Sequence, residues 1–174
     1  MRKQKGFSLI ELLIVVAIIL IIAAIAIPSL MRSRMLANQS AAASTIRTLV
    51  TAESTYLSTF GSKVGYPLLI ANLGVITPGT QCPPGTVPTP VAACLIDPVL
   101  TTGFKGGYAY QAVGYNPTAT LGPQSFTVDT YATNPGYTGN VDYCASDEGV
   151  VYFRPAAAAF VGPVPCPPPF QPLQ

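Results

Sequence analysis

The sequence has no histidine, no tryptophan and few charged residues. Asp, Glu, Lys and Arg make up 9% of its 174 positions, against about 25% in an average soluble domain. Without histidine the chain lacks the commonest general base and the commonest metal ligand. Nor does it contain a nucleophile elbow, a phosphate-binding glycine loop, a Cys-x-x-Cys pair or a paired-carboxylate motif. We therefore predict that the protein is not an enzyme and that it needs no cofactor and no metal ion.

The most prominent feature of the sequence is a long apolar segment at the N-terminus. Three basic residues precede Gly6, and the 25 residues of the segment 7–31 contain a single charged one, Glu11. A helix of this length spans the hydrocarbon core of a membrane, which is about 30 Å thick. The basic residues before it predict a cytoplasmic N-terminus, with the rest of the chain on the opposite side. A secretory signal peptide would have a shorter apolar run and an early cleavage site after small residues.

Glu11 is an unusual residue for such a segment, because a carboxylate inside an apolar helix costs about 2.5–3.5 kcal/mol to insert. In one interpretation, Glu11 lies near the cytoplasmic interface and extends its side chain into water. In the other, it neutralises a cation that another subunit supplies. Both interpretations are compatible with the residues alone.

The stretch Lys5–Val16, KGFSLIELLIVV, resembles the class III prepilin signature of the type IV pilin superfamily. The shared elements are a short basic leader, a glycine, a phenylalanine and a glutamate five residues after the glycine, all before a long apolar helix. The resemblance implies that a prepilin peptidase cleaves between Gly6 and Phe7, removes residues 1–6 and methylates the new amino group of Phe7. Glycine suits the cleavage point because the missing Cβ lets a protease approach the backbone closely. The resemblance also implies that Glu11 of one subunit pairs with the Phe7 ammonium of its neighbour.

Removal of the leader changes the charge of the chain. The precursor has nine Lys and Arg against seven Asp and Glu, a formal net charge of +2. The leader holds three of the nine basic residues, so the mature side chains carry a net charge of −1. The basic balance of the precursor is thus a targeting feature, and it gives no signal for binding of nucleic acid.

The helical pattern continues beyond the membrane segment over residues 32–60, in an amphipathic helix that forms the spine of a head domain. Pro28 lies within the helix, where it removes one hydrogen bond and predicts a kink. Arg32 and Arg34 follow the membrane segment and are expected to meet lipid headgroups or solvent. The apolar residues of the amphipathic part recur at three- and four-residue steps: Ile46, Leu49, Val50, Leu57 and Phe60.

The remainder of the chain divides into a loop and a small sheet. Gly61 ends the helical pattern, and residues 61–107 form a variable loop rich in Pro and Gly. Residues 108–174 contain stretches that alternate apolar and polar residues and predict antiparallel strands; the three clearest predicted strands are 108–115, 125–132 and 150–154. We predict three or four strands packed by one face on the helix. The fold class is therefore α+β: a long N-terminal helix, transmembrane in its first half and amphipathic in its second, against a small antiparallel sheet.

The four cysteines, Cys82, Cys94, Cys144 and Cys166, allow three disulfide connectivities. An exported domain folds in an oxidising compartment, so we predict that the cysteines are paired, and we favour the sequential connectivity. A bond between Cys144 and Cys166 would resemble the disulfide-bounded C-terminal loop of many pilins. The Pro-rich tail around Cys166 is predicted to be extended chain.

Three acidic residues, Asp142, Asp147 and Glu148, are predicted to cluster at a solvated turn. Some pseudopilins bind calcium in a loop of this region, so a calcium site is the alternative. The carboxylates here are few, and their spacing is not that of a known calcium loop.

The resemblance implies a structural subunit of a type IV pilus, which enters the bacterial inner membrane as a prepilin and then polymerises into an extracellular fibre. Its partners would be other copies of itself and related pilins, prepilin peptidase, the inner-membrane assembly platform, and membrane lipid before assembly. Such fibres serve adhesion, twitching motility, DNA uptake or extracellular electron transfer. Two alternatives stay open: a pseudopilin of a type II secretion system, in a periplasmic pseudopilus, and a membrane-anchored binding protein. The latter would not need the motif of Gly6, Phe7 and Glu11.

Overall fold

The structure is a computed structural model that describes residues 7–61, 64–118, 120–157, 159–160, 162 and 165–173. The predicted leader, residues 1–6 with Gly6, lies outside the described residues. The chain divides into two units, one ending at Arg34 and the other beginning at Met35. The first unit is helical throughout its described part from Leu9 onward, and the second contains the rest of the same helix together with the sheet.

The helix α1 comprises the 52 residues Leu9–Phe60, close to the predicted range of 7–60. It runs through Pro28 without a break in the α-helical assignment, and the kink at this position stays a prediction. It ends at Gly61, which adopts the left-handed conformation (φ 78°) and donates its backbone N–H to the carbonyl of Leu57 at 2.9 Å. Glycine carries no Cβ penalty in that conformation, which explains why the helix stops there.

A six-stranded antiparallel sheet forms the remainder of the head. Each strand pairs with its neighbour in sequence, so the strand order is β1-β2-β3-β4-β5-β6. The two longest strands, β2 and β3, form the hairpin that the alternation of residues predicted. The strands are β1 (Phe104–Lys105), β2 (Tyr108–Pro117), β3 (Pro123–Ala132), β4 (Val141–Ser146), β5 (Val151–Pro155) and β6 (Gln171–Pro172).

The hydrophobic core lies between the second half of α1 and one face of the sheet. Small residues on the helix, such as Ala42 and Ala43, are buried beside Ile46 and Leu49, which lets the strands approach the helix backbone. The sheet contributes aromatic and small apolar side chains to this core, although consecutive residues are buried on both faces of β3 and β4. The core residues of the sheet include Tyr108, Tyr110, Ala112, Phe126, Val128, Ala145 and Val151. The predicted α+β class is confirmed.

The sequence prediction underestimated how much of the chain pairs. Strand β4 was not predicted, and β1 and β6 are two-residue edge strands. The 61–107 loop contains two short 3-10 helices, Ile70–Leu73 and Leu100–Thr102, and hydrogen bonds join its two arms, as in Leu95 N–H to Leu73 O at 2.7 Å. The tail is also more structured than predicted, since β6 pairs with β5.

Two disulfide bonds join Cys82 to Cys94 and Cys144 to Cys166, which is the sequential connectivity. The first closes the segment 82–94 within the 61–107 loop, and the second ties the C-terminal tail to the buried strand β4. The tail has a further contact, because the ring of Phe170 lies 4.7 Å below the guanidinium of Arg154.

Replacing Cys144 and Cys166 together by serine is expected to destabilise the head by about 3 kcal/mol, since the bond closes a loop whose ends are separated by 22 positions. Limited proteolysis of the full chain in detergent should then cleave the tail first, while α1 stays protected. The matched control replaces Cys82 and Cys94 by serine, which opens the surface loop and should leave the tail protected. An unchanged digestion pattern of the Cys144/Cys166 variant would contradict the prediction.

Candidate assembly site

Helix α1 begins at a cap that joins Ser8 to Glu11. The backbone N–H of Ser8 donates to a carboxylate oxygen of Glu11 at 2.9 Å, and the carbonyl of Ser8 accepts from Leu12 N–H at 3.3 Å. The first contact is one arm of a capping box, and it holds the negative charge at the positive end of the helix dipole. Sequence reasoning missed this role of Ser8, although the Ser-x-x-Glu spacing signals it. Phe7, immediately before the cap, is 80% exposed.

The first half of α1 presents a continuous apolar surface that no other described part of the chain covers. An 18-residue window within the helix has a mean hydropathy of 3.3 and is not buried at all. By length and composition it is, among the described residues, the one helix that can cross a membrane. An exposed apolar surface of this extent requires lipid or other apolar helices around it. The uncovered side chains include Leu9, Leu13, Ile18, Ile22, Ile25 and Leu30.

Basic residues follow this surface directly. Arg32 and Arg34 are both exposed, and no described residue forms an ion pair with either. The expected contact of Arg32 and Arg34 with lipid headgroups or solvent stays a prediction.

Comparison with known proteins identifies the N-terminal segment. The family model described as "Prokaryotic N-terminal methylation motif" matches residues 1–27. The N-terminal part of the chain thus matches a class III prepilin signal, and the chain is similar over part of its length to two type IV major pilins. It is 40% identical over 70 residues to the type IV major pilin protein PilA of Myxococcus xanthus, a match that covers 37% of this chain and 32% of that protein. It is 60% identical over 40 residues to the type IV wide pilus major component PilA4 of Thermus thermophilus, covering 23% of this chain and 30% of that protein.

The matches thus span about a third of the length of each of these two curated relatives. No solved structure matches the chain significantly. Both relatives are named as major pilus components. The similarity therefore does not favour the alternative of a secretion pseudopilin. The motif and the long apolar helix together fit a pilin anchored in the inner membrane.

In the head, the prediction that Asp142 lies with Asp147 and Glu148 at a solvated turn is wrong. Asp142 lies in β4 and is fully buried, with its carboxylate accepting from the backbone N–H groups of Ala132 at 3.1 Å and Ala157 at 2.8 Å. Arg154 pairs with the same carboxylate at 3.4 Å. Only Asp147 and Glu148 remain at the exposed turn, and the described residues contain no cluster of potential ligands that could hold a metal ion.

A second buried carboxylate, Glu53, was missed by sequence reasoning. It lies on the core face of α1 between Leu49 and Tyr56, is 0% exposed, and neither of its oxygens has a hydrogen-bond partner among the described residues. Burial raises the pKa of Glu53 from 4.5 to about 8, so the group holds its proton at neutral pH. The signal in the sequence was the three- and four-residue spacing that places position 53 on the buried stripe with Ile46 and Leu49.

Two tyrosines are the titratable neighbours of Glu53. Burial raises the pKa of Tyr56, and the charge of Glu53 adds to that effect. Burial also raises the pKa of Tyr66, with smaller contributions from Asp147 and then from Glu53. Ionisation of Glu53 would therefore place a negative charge in a region of aromatic and apolar side chains.

The buried Glu53 predicts that the head becomes less stable as the pH rises from about 4.5 to about 8. Below this window both the folded and the unfolded chain are protonated at Glu53; within it only the folded chain keeps the proton, so each added pH unit favours unfolding. With about 1.4 kcal/mol per pKa unit, the total loss is on the order of 4 kcal/mol. Glu53→Gln does not titrate and should lack this loss.

The measurement is the unfolding midpoint of the full chain in detergent by tyrosine near-ultraviolet circular dichroism, from pH 5 to pH 9. The advantage of Glu53→Gln over wild type should grow with pH. Glu148→Gln is the matched control, because it removes an exposed carboxylate and should keep the wild-type slope. Parallel profiles for wild type and Glu53→Gln would show that Glu53 is not a buried neutral acid.

Proposed function

We propose that the protein is a structural subunit of a type IV pilus. It enters the inner membrane with its N-terminus in the cytoplasm, and prepilin peptidase cleaves it between Gly6 and Phe7 and methylates Phe7. The assembly platform then transfers it into an extracellular fibre with other copies of itself. The observation that carries this proposal is the N-terminal methylation motif over residues 1–27, continued directly into a helix whose apolar side chains are uncovered. The role is structural, and it requires no catalytic site.

The physical basis of assembly is the replacement of lipid by other helices around α1. Helix association in an apolar environment is driven by close packing and by satisfied polar groups. Glu11 is one such polar group, and in the free subunit its carboxylate bonds only to the nearby N–H of Ser8 among the described contacts. A neighbouring subunit that brings the Phe7 ammonium to Glu11 supplies a full countercharge. Loss of one partner from such a buried pair costs about 3–5 kcal/mol, which selects subunits in the correct axial position.

The first test is the intact mass of the protein in material sheared from the cell surface. We expect a chain that begins at methylated Phe7, with a mass four hydrogens below that of the reduced chain because of two disulfide bonds. A chain that retains the leader would contradict the processing step. A processed chain confined to the membrane would contradict the surface fibre and favour a pseudopilus.

The second test concerns the charge pair. Glu11→Gln should still insert and be cleaved, yet the amount of the variant in sheared fibres should fall at least about tenfold, since each 1.4 kcal/mol is a factor of ten. Glu148→Gln, which removes an exposed head carboxylate, serves as control and should assemble normally. Wild-type fibre yield from Glu11→Gln would refute the pairing.

A further inference from the structure

A short segment of the chain, residues 64–67, crosses the end of the β2–β3 hairpin, and we call it the strap. It lies between α1 and the first 3-10 helix and has neither helical nor strand structure of its own. Two backbone hydrogen bonds attach it to the hairpin. Tyr66 N–H donates to the carbonyl of Pro123, and Gly114 N–H donates to the carbonyl of Pro67, both at 2.8 Å.

The contact between the strap and the hairpin depends on glycine at two positions. A Cβ on Gly122 would collide with the carbonyl oxygen of Val64, and a Cβ on Gly65 would collide with the carbonyl oxygen of Pro123. Gly65 also has a positive φ of 71°, which a residue with a side chain rarely adopts. The strap therefore lies in direct backbone contact with the hairpin, and any side chain at Gly122 would push the two apart.

The strap covers the part of the core that contains Glu53. The ring of Tyr66 packs on that of Phe126, with 4.8 Å between the ring centroids, and Phe126 is 1% exposed. Glu53 is 0% exposed, and neither of its carboxyl oxygens has a hydrogen-bond partner among the described residues. Burial raises the pKa of Tyr66, and the charges of Asp147 and then Glu53 add to this effect. The Tyr66 phenol is thus within range of the charge that Glu53 carries when it ionises.

A cleft of about 290 Å³ lies beside the strap. Its walls include Val64 and Tyr66 of the strap, Tyr56 of α1, and Pro90. Tyr56 is three residues beyond Glu53 on α1; burial raises the pKa of Tyr56, and the charge of Glu53 adds to that effect. The cleft therefore brings solvent beside both of the phenols on which Glu53 acts.

The opposite wall of the cleft is fastened more firmly than the strap. The hydroxyl of Tyr56 donates to the carbonyl of Pro90 at 2.7 Å, and three backbone hydrogen bonds of 2.7–3.0 Å join residues 93–95 to residues 72–74. The disulfide bond from Cys82 to Cys94 adds a covalent link to that wall. Proteins open locally where the fewest contacts must break, and on this side of the head that place is the strap.

We propose that the strap is a pH-sensitive flap: when Glu53 ionises, the strap detaches from the hairpin and lets water reach the carboxylate, while the rest of the head stays folded. The titratable groups that interact with Glu53 are Tyr56 on α1 and Tyr66 on the strap, and Asp147 in the β4–β5 turn acts on Tyr66. None of the three is a cation that could neutralise a carboxylate inside the closed head. Water is the solvent that the ionised group needs, and the opening strap admits it. The device does not depend on the proposed function.

The direction of the pH effect follows from proton linkage. In the closed head burial raises the pKa of Glu53 to about 8, whereas a hydrated carboxyl has the ordinary value of 4.5. Opening of the strap therefore releases a proton between these two values. Within this window each added pH unit raises the equilibrium constant for opening by up to about tenfold.

The test uses the full chain in detergent with the variant Tyr66→Trp. The chain has no other tryptophan, and the indole does not titrate, so its fluorescence reports on the strap alone. We expect quenching by acrylamide to rise at least about twofold between pH 5 and pH 9, since opening exposes the ring to solvent. The near-ultraviolet circular dichroism of the remaining tyrosines should stay unchanged over the same range, because the rest of the head stays folded.

Three further substitutions are each combined with Tyr66→Trp. Glu53→Gln cannot ionise, so its quenching should not change with pH. Glu148→Gln removes an exposed carboxylate and, as the matched control, should keep the full rise. Gly122→Ala forces the strap away from the hairpin, so its quenching at pH 5 should already equal that of the Tyr66→Trp parent at pH 9.

Several results would overturn the proposal. Quenching that stays constant with pH in the Tyr66→Trp parent, or that rises equally with Glu53→Gln, shows that Glu53 does not control the strap. Loss of the tyrosine circular dichroism at the same pH as the rise in quenching shows that the whole head unfolds and that the strap is not a separate flap. Parental quenching of the Gly122→Ala variant at pH 5 shows that the contact at Gly122 does not hold the strap closed.

Discussion

The whole structure depends on how the first half of α1 is kept out of water. Burial of a single Leu or Ile side chain is worth about 1.5–3 kcal/mol, and the apolar surface from Leu9 to Met31 has no cover within the described chain. Lipid covers this surface in a membrane-inserted subunit, and neighbouring helices would cover it in a fibre. Because apolar packing is not directional, it fixes no axial position by itself. The one carboxylate in the segment, Glu11, is the group that can define one.

The head contains two fully buried carboxyl groups, Asp142 and Glu53, which differ in their hydrogen-bond partners. Asp142 has two backbone N–H donors and Arg154 around it, and through them it connects β4 to β3 and to the segment after β5. Glu53 has no such partners among the described residues. A buried polar group costs little when its hydrogen bonds are satisfied and several kcal/mol when they are not. Asp142 therefore links these segments of the head, whereas burial raises the pKa of Glu53, so that its protonated form is expected to fit the core better than the carboxylate.

Much of the fold follows from local patterns in the sequence. The apolar run, the stripe that includes Leu49 and the helix stop at Gly61 are periodic or conformational signals, and each predicts its element correctly. Strand β4 was missed because five of its six residues are buried, on both faces of the sheet, so its sequence lacks the alternation of an ordinary half-buried strand. The role of Asp142 was missed for the same reason. The sequence around a single acidic residue does not distinguish an exposed turn from a buried strand; only the pairing of the strands does.

The sequential strand order has a consequence for how the head forms. Segments that are close in sequence find each other quickly, because closing a short loop loses little chain entropy. Since every strand pairs with the next one along the chain, the sheet can grow one strand at a time as the chain emerges, from β1 toward β5. Strand β6 and the bond from Cys144 to Cys166 can join only when the last residues arrive. The head can therefore fold in the same direction, from its N-terminal to its C-terminal strands, in which the chain is made.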